Sequence, residues 1–291
     1  MKQSKRTWNK RWLFPHDFVW RRFIGDSDFI VGVISLSILL SQMMLLHTNA
    51  GTGEKKPKLE PGFKSLFNGK DLKGWHKNPT KIHHGTGGLW TVEDGAILGQ
   101  QDPPGSGNGG ILLTDKKFGN FEVIFEVNPT WGMDSGFFLR STEMGQCYQI
   151  MVDYYANGNV GEIYRERLDG MTNRTFMLEG VFADESKKTL IGVNAIPAPK
   201  NDKGQGGPPF FKLEEWPRIW KVNEWNTVRA RVEGNPPNIV TYINGTLITK
   251  YTSEKKFEGI LEDRGYLALQ VHGGDPGKKQ VRYRNIRIKE L

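Results

Sequence analysis

The feature that most constrains the fold of this chain is a series of short segments with alternating side-chain character. In Gly136–Ser141, Tyr148–Val152 and Gly265–Val271, residues of one parity differ in polarity from those of the other. This period of two is typical of a half-buried strand, because successive side chains leave opposite sides of the sheet. Further segments have strand character, namely Gly88–Glu93, Ala96–Gln100, Ile111–Leu113, Phe121–Val127, Glu162–Tyr164, Asn226–Glu233, Ile239–Ile243, Thr246–Tyr251 and Val281–Lys289. The sequence therefore predicts an all-β fold.

Turn signals between these segments favour antiparallel strands. Asn244-Gly245 lies between two strand-like segments and is a strong hairpin signal, because both central turn residues need a positive φ. Many short antiparallel strands predict a sandwich or a barrel, and 291 residues suit a two-sheet jelly roll. Residues 168–224 are rich in Pro and Gly, and we expect long functional loops there. Trp216, Trp220 and Trp225 would close these loops as packing anchors or stack on a sugar ring.

Residues 1–50 differ in kind from the rest of the chain. A basic segment precedes an uncharged run over residues 29–46, and small residues end the run at Thr48-Asn49-Ala50. This order predicts either a cleaved signal peptide or an uncleaved membrane anchor through residues 29–46. Residues 51–61 form a polar linker in either case. We expect the remainder to be exported to the periplasm or cell surface.

Charge and cysteine usage exclude some functions. Half of the +8 net charge comes from residues 1–50, and the remaining basic residues form no stripe, so no nucleic-acid partner is predicted. Cys147 is the single cysteine, which rules out an intrachain disulfide, and we expect it to be a buried residue rather than a nucleophile. His83-His84 suggests a metal site, but adjacent histidines on an extended chain point to opposite faces. We therefore expect a flexible loop at His83-His84.

Several motifs together resemble one family. They are Gly62-Phe-Lys-Ser-Leu-Phe-Asn-Gly-Lys-Asp-Leu-Lys-Gly-Trp75, Trp90-Thr-Val-Glu-Asp-Gly, Asp134-Ser-Gly-Phe-Phe-Leu-Arg-Ser, Glu224-Trp-Asn, Gln270-Val-His-Gly-Gly and the closing Val281–Leu291 segment. The chain resembles, over residues 62–291, the family formerly called DUF1080, now described as the 3-keto-disaccharide hydrolase or 3-keto-glucoside 1,2-lyase/2-hydroxyglucal hydratase domain. The resemblance implies a concanavalin/LamG-like two-sheet jelly-roll sandwich and a glycoside or oligosaccharide substrate.

The chemistry implied by this resemblance begins with a ketone at C3 of the sugar. The ketone acidifies the C2 proton, so an enediolate can form and the C1 substituent can be expelled; water then adds back. The reaction needs a base, an acid and donors that stabilise charge at O3. We expect His272, Asp153 and Glu162 to transfer protons, and His272 suits this near neutral pH.

The substrate-binding candidates share a polar or aromatic side chain on a predicted strand. They are Arg140, Gln149, Gln270, Trp90 and Tyr164. Arg140 would stabilise the enediolate, the two glutamines would orient hydroxyl groups, and Trp90 or Tyr164 would stack on the sugar. A structural ion pair between Asp153 and Arg140 is the alternative interpretation of those two residues.

A non-catalytic, lectin-like carbohydrate-binding module is the alternative function. Family members commonly read Tyr-Glu-Val-Gln-Ile-Leu-Asp where this chain has Gln149 and Met151 before Asp153, which removes one carboxylate. No cofactor is predicted. A divalent cation would be chemically suited to stabilise an enediolate, but the sequence contains no recognisable set of metal ligands.

Overall fold

A computed structural model describes residues 59–274 and 279–291 of the chain. The predicted signal peptide or anchor, and most of the predicted linker, lie outside the described residues. In the described part, no helix has the length and apolar character needed to cross a membrane.

The described residues form strands joined by short turns and longer loops. The strands are β1 (Lys64–Ser65), β2 (Trp75–Lys77), β3 (Leu89–Glu93), β4 (Ala96–Gln100), β5 (Gly110–Phe118), β6 (Phe121–Pro129), β7 (Gly136–Ser141), β8 (Cys147–Val152), β9 (Val160–Glu166), β10 (Phe176–Phe182), β11 (Leu190–Pro197), β12 (Asn226–Glu233), β13 (Asn238–Ile243), β14 (Thr246–Thr252), β15 (Gly265–Val271) and β16 (Val281–Glu290). A 3-10 turn at Leu213–Glu215 leads into one short helix, α1 (Trp216–Ile219).

Two antiparallel sheets form a sandwich, which confirms the predicted all-β jelly-roll class. The larger sheet has the order β14-β13-β12-β6-β16-β4-β3, with β1 paired to β16, and the smaller has the order β2-β5-β15-β7-β8-β9. Seven of the twelve strand pairings in these two sheets join strands that are not consecutive along the chain. Asn244 and Gly245 both have positive φ in the β13–β14 turn, as the hairpin signal predicted.

The core lies between the two sheets and contains the side chains at alternate positions along their strands. Phe137 and Leu139 of β7 and Ile150 of β8 are fully buried there. The Phe125 ring stacks on the Phe137 ring with centroids 4.1 Å apart, which joins β6 of the larger sheet to β7 of the smaller. The other parity of the smaller sheet faces away from this core. That face is called here the outer face, and it carries the polar residues of the candidate site.

Residues 168–224 differ from the predicted long loops. Within them β10 and β11 pair as a separate two-stranded sheet, and α1 packs beside them. Trp216 and Trp220 are buried with nearly parallel rings, which supports their interpretation as packing anchors. The sequence did not predict this hairpin, because polar and apolar residues do not alternate regularly along β10 and β11.

Candidate active site

A group of polar side chains gathers on the outer face of the smaller sheet and is called here the polar cluster. It consists of His84, Asp134, Gln149, Asp153, Glu166, Arg174, Gln270 and His272, which hydrogen bonds, ring contacts or mutual electrostatic effects connect. Beside it lies a small apolar group formed by Ile82, Ile111, Leu113, Phe138, Cys147 and Ala268. The outer face is therefore divided into an apolar part and a polar part.

His272 and Asp134 form the more exposed end of the polar cluster. The His272 backbone N–H donates to the Asp134 carbonyl over 3.2 Å, and His272 Nδ1 lies 4.0 Å from Asp134 Oδ2. The side chains keep 35% and 26% of their surface accessible, respectively, so both can meet a ligand. Burial raises the pKa of the Asp134 carboxyl, and the nearby His272 and His84 partly oppose that rise.

Asp153 and Arg174 form a less exposed ion pair next to this end. Arg174 Nη2 donates to Asp153 Oδ2 over 2.9 Å, and it also lies 3.4 Å from the sulfur of Met151. Burial raises the pKa of the Asp153 carboxyl well above its ordinary value, and the Asp134 charge adds to the rise while Arg174 opposes it. The charge of Asp134 thus disfavours ionisation of Asp153.

His84 occupies the buried centre of the polar cluster. Its Nε2 lies 3.1 Å from Glu166 Oε1 and 3.1 Å from Gln270 Nε2, and its ring centroid is 4.8 Å from that of His272. A proton on Nε2 suits the Glu166 carboxylate, whereas an unprotonated Nε2 suits the Gln270 amide N–H. His84 Nε2 therefore lies between a carboxylate and an amide that could each bind it.

Glycines allow the loop that carries His84 to approach the sheet closely. The Gly109 N–H donates to the His84 carbonyl over 2.8 Å, and a Cβ on Gly273 would collide with that same carbonyl. Gly85 and Gly110 have positive φ and lie against backbone of neighbouring segments. Only glycine fits such backbone-to-backbone contacts, so the Gly-rich loops serve to place His84.

Two amides extend the cluster across the strands. Gln149 Nε2 donates to Gln270 Oε1 over 3.2 Å and to the Ser135 carbonyl over 3.3 Å. The Gln149 side chain lies directly over Gly136, where any Cβ would clash with it. Among the described residues, Gln149 Oε1, His84 Nδ1 and Arg174 Nε are buried atoms without a hydrogen-bond partner. Such unsatisfied atoms are uncommon, and these three are among nine in the described part of the chain.

Comparisons with known proteins identify the family of this chain. The 3-keto-alpha-glucoside-1,2-lyase-like domain family matches residues 62–289. The chain belongs to this family. A 3-keto-disaccharide hydrolase of Bacteroides thetaiotaomicron is 27% identical over 263 residues, which cover 79% of each chain. The family is carbohydrate-active, which implies a sugar substrate for this chain.

Solved structures with a similar sandwich include two proteins of distant sequence. A candidate glycosyl hydrolase from Parabacteroides distasonis is 19% identical, with a TM-score of 0.47 and coverage of 79% of this chain and 94% of that one. The carbohydrate-binding module CBM66 from Bacillus subtilis is 12% identical, with a TM-score of 0.43 and coverage of 75% and 96%.

Four further residues predicted from sequence lie in or next to the polar cluster with His272. Asp153, Gln149 and Gln270 are members of it. Tyr164 pairs with Gln149 in the β8–β9 register, and the charges of Glu166 and Asp153 act on its hydroxyl. His272 and Asp153 are linked through Asp134, because His272 acts electrostatically on Asp134 and Asp134 acts on Asp153.

Arg140 lies elsewhere, contrary to the prediction. Its guanidinium donates to the Gly119 carbonyl over 2.8 Å, to the Gly234 carbonyl over 2.6 Å and to Asn120 Oδ1 over 2.9 Å. Arg140 has a φ of 52°, and the β7–β15 register shifts nearby, so the alternation that holds at Phe138 breaks before Arg140. Asp153 pairs with Arg174 instead of Arg140, which corrects the predicted ion pair.

Trp90 and Glu162 also lie outside the polar cluster. Trp90 belongs to the larger sheet and is buried in the main core, with its Nε1–H donating to the Gly87 carbonyl over 2.7 Å. Its ring lies against Gly99 and has no free face for a sugar. Glu162 is fully buried, and its carboxylate is bound by Asn159 and Thr175 rather than facing the cluster. Neither position suits the predicted contact with substrate.

Four members of the polar cluster were missed as candidates from the sequence: His84, Asp134, Glu166 and Arg174. Asp134 stood within a motif used for the resemblance, and His84 was interpreted as part of a flexible loop, although the structure buries it. Glu166 lies on the same face of β9 as Glu162 and Tyr164, because the three residues are two positions apart. This spacing is a signal that could have identified Glu166 from the sequence. Arg174 follows a strand in a segment without periodicity, and only tertiary structure brings it to Asp153.

The polar cluster contains two kinds of group. Some of its side chains can give or take a proton, and one of them is a cation held in a fixed position. Two carboxyl groups of raised pKa lie beside an accessible imidazole, and Arg174 supplies positive charge. These are the components required for removing a proton next to a carbonyl group. Residues 59–274 and 279–291 contain no group of three or more His, Cys, Asp or Glu side chains arranged to hold a metal ion.

Proposed function

We propose that this protein cleaves 3-keto-glycosides by C2 proton removal and elimination, followed by hydration of the product. The observation that carries the proposal is the position of His272 beside Asp134, at the accessible end of a cluster that also contains Arg174. Histidine imidazole is a common general base in enzymes, and His272 is accessible enough to reach the C2 proton of a bound sugar.

Asp134 is proposed as the acid that protonates the departing oxygen. Its pKa is raised by burial, so it keeps a proton at a higher pH than an exposed aspartate. His272 takes the C2 proton, and the C2–H electron pair delocalises into the C3 carbonyl as an enediolate. The enediolate then restores the C3 carbonyl and forms the C1–C2 double bond as the C1–O bond breaks, and the alcohol leaves with the Asp134 proton. In the return step Asp134 takes a proton from water as the water oxygen adds to C1, and His272 returns a proton to C2.

Arg174 takes over the role that the sequence assigned to Arg140. Its guanidinium is held by Asp153 and keeps 18% of its side-chain surface accessible. Donors that are fixed before the reaction stabilise developing charge at O3 without reorganisation. Burial raises the pKa of Asp153, and the charge of Arg174 opposes that rise.

The proposal is tested with the purified full-length chain, a 3-keto-disaccharide and the unoxidised disaccharide. Release of reducing sugar only from the keto form, with solvent deuterium at C2 in the earliest product, supports elimination. A control with authentic 3-keto-sugar corrects for uncatalysed exchange. Cleavage of both disaccharides without deuterium at C2 would indicate oxocarbenium chemistry instead. Sugar binding without any release would indicate the alternative, a lectin-like module.

A divalent cation would be an alternative source of positive charge for the enediolate, although the described residues contain no ligand group for one. Turnover is compared before and after treatment with a chelator, and then after each metal is added back. A loss that added metal restores would assign part of the charge stabilisation to a cation, whereas unchanged turnover would leave that role to Arg174.

We also propose that the domain acts outside the cytoplasm. The support is the order of a basic segment, the uncharged run over residues 29–46 and small residues at 48–50. Cell fractionation and the intact mass of the mature protein test this proposal. A mass lacking the first fifty or so residues indicates a cleaved signal, and a full-length mass in the membrane fraction indicates an anchor. A full-length protein in the cytosol would contradict export.

A further inference from the structure

We propose that Glu162 is a positioning residue that holds Arg174 in the polar cluster through Thr175. The sequence suggested a proton-transfer role for Glu162, and the structure favours a different one. The kinetic part of this inference rests on the proposed function; the structural part does not.

The Glu162 carboxylate is fully occupied by neighbouring protein groups. Oε1 accepts a hydrogen bond from Thr175 Oγ1 over 2.6 Å, and Oε2 accepts from the Thr175 backbone N–H over 2.7 Å. Oε2 also accepts from Asn159 Nδ2 over 2.8 Å. Glu162 has no accessible surface, so a sugar cannot reach it without displacing these contacts.

Thr175 is the residue directly after Arg174, so binding Thr175 fixes the start of β10. Asn159 Nδ2 also donates to the Phe176 carbonyl over 2.9 Å, which holds the next residue. Both contacts come from the beginning of β9, beside the strand end that carries Asp153, whose N–H donates to the Asn159 carbonyl. Glu162 and Asp153 therefore lie on neighbouring segments that a hydrogen bond connects. Arg174 is linked to both, because its guanidinium binds Asp153 and the next residue, Thr175, binds Glu162.

Arg174 lies in a loop, and Thr175 is one of the points that hold its backbone, together with the Gly206 N–H, which donates to the Arg174 carbonyl over 2.9 Å. The stretch between Glu166 and Phe176 contains no strand, and the guanidinium makes one short contact to a charged partner, Asp153. Its contact to the Asn157 carbonyl is longer, at 3.4 Å. A displacement of the backbone by about 1 Å would remove the guanidinium from its place, and such shifts can cost on the order of 100-fold in rate.

A glutamine at position 162 preserves every one of these contacts. Its Oε1 can accept from the Thr175 N–H and from Asn159, and its Nε2 can donate to Thr175 Oγ1. Glutamine cannot, however, transfer a proton as an acid or base. Glu162→Gln therefore separates positioning from proton transfer, whereas Glu162→Ala removes both.

The kinetic experiment compares Glu162→Gln, Glu162→Ala, Arg174→Ala and the Glu162→Ala/Arg174→Ala double variant of the full-length chain. We expect Glu162→Gln to keep kcat/KM within about threefold and Glu162→Ala to lose at least about tenfold. In the Arg174→Ala background, Glu162→Ala should have no further effect on kcat/KM, although it should still lower Tm. A loss of about 100-fold or more in Glu162→Gln would restore proton transfer as its role, and additive kinetic losses would show a purely structural one.

An NMR measurement tests the same inference without any substrate. The Arg174 Nε–H resonance is followed in the wild type, Glu162→Gln and Glu162→Ala. We expect an ordered, slowly exchanging signal in the first two and its loss in the third. Glu126→Ala is the control, because Glu126 is a partly buried carboxylate that binds Arg284 and Asn285 in the other sheet. It should lower Tm and leave the Arg174 signal intact.

The two readouts distinguish failure of this inference from failure of the proposed function. Without turnover of 3-keto-disaccharides by the wild type, the proposed function fails, and the NMR signal still decides whether Glu162 holds Arg174. Persistence of the ordered signal in Glu162→Ala would overturn the positioning role whatever the reaction is.

Discussion

The backbone N–H of His272 donates to the carbonyl of Asp134 over 3.2 Å, and their side chains approach to 4.0 Å. The hydrogen bond joins the end of β15 to the residues before β7, so strand pairing itself sets the distance between imidazole and carboxyl. A proton acceptor and a carboxyl of raised pKa are thus adjacent before any ligand binds.

The His272–Asp134 pair leads to the first prediction. His272→Ala and Asp134→Asn should each lower kcat/KM on a 3-keto-disaccharide by about 100-fold or more, because each removes a proton-transfer group. Sugar affinity, measured by calorimetry on the inactive variants, should change little. His76→Ala and Asp115→Asn form the matched control, since His76 Nδ1 lies 2.7 Å from Asp115 Oδ1 outside the polar cluster. Comparable losses in both pairs would contradict a catalytic role.

Trp90 leads to a prediction about stability rather than binding. Trp90→Ala should lower the free energy of unfolding by about 3–5 kcal/mol, because it opens a large cavity in the main core. Gly99→Ala should also destabilise the protein, since its methyl group would overlap the Trp90 ring. Denaturant unfolding measures both effects. Sugar affinity of the folded fraction should stay unchanged, and a selective loss of affinity would return Trp90 to its predicted stacking role.

Glu162 leads to a prediction about pH. Burial raises the pKa of its carboxyl from 4.5 to about 7, so the folded state binds more protons than the unfolded state between these values. The stability from this group is therefore complete below pH 4.5 and declines as the pH rises through about 7, by on the order of 3 kcal/mol. Glu162→Gln lacks this titration.

The measurement for Glu162 is the free energy of unfolding of both proteins from pH 4.5 to pH 8, by denaturant titration. The value for Glu162→Gln minus that for the wild type should grow with pH across the window. Asp134 and Asp153 contribute in the same direction to both proteins and cancel in the difference. A constant difference would mean that Glu162 is ionised throughout.

Cys147 leads to the fourth prediction. It is fully buried in the apolar part of the outer face, and burial raises the pKa of its thiol well above the ordinary value. A thiol reagent should leave the native protein unlabelled and react with one equivalent after unfolding, since the chain has a single cysteine. Rapid native labelling, or loss of turnover in Cys147→Ala without loss of Tm, would contradict an inert structural role.

The sequence determined the fold class and many of the strand positions. Alternation over segments such as Gly136–Ser141 identified the strands, because the two faces of a half-buried sheet meet different surroundings. The same alternation placed Gln149, Gln270 and Asp153 on or beside the outer face. It failed at Arg140, where a positive φ and a register shift turn the side chain toward the backbone of neighbouring loops.

Tertiary structure alone decided which residues from distant segments meet. Arg174 reaches Asp153 from a loop, and His84 contacts Glu166, which lies 82 positions further along the chain. No local periodicity encodes such contacts, since they depend on how strands far apart in sequence pair and on where glycines let backbones touch. The burial that raises the pKa of Asp134 and withdraws Glu162 from the cluster arises in the same way. Local sequence pattern fixes which face a side chain takes, and packing of the whole sandwich fixes what it touches.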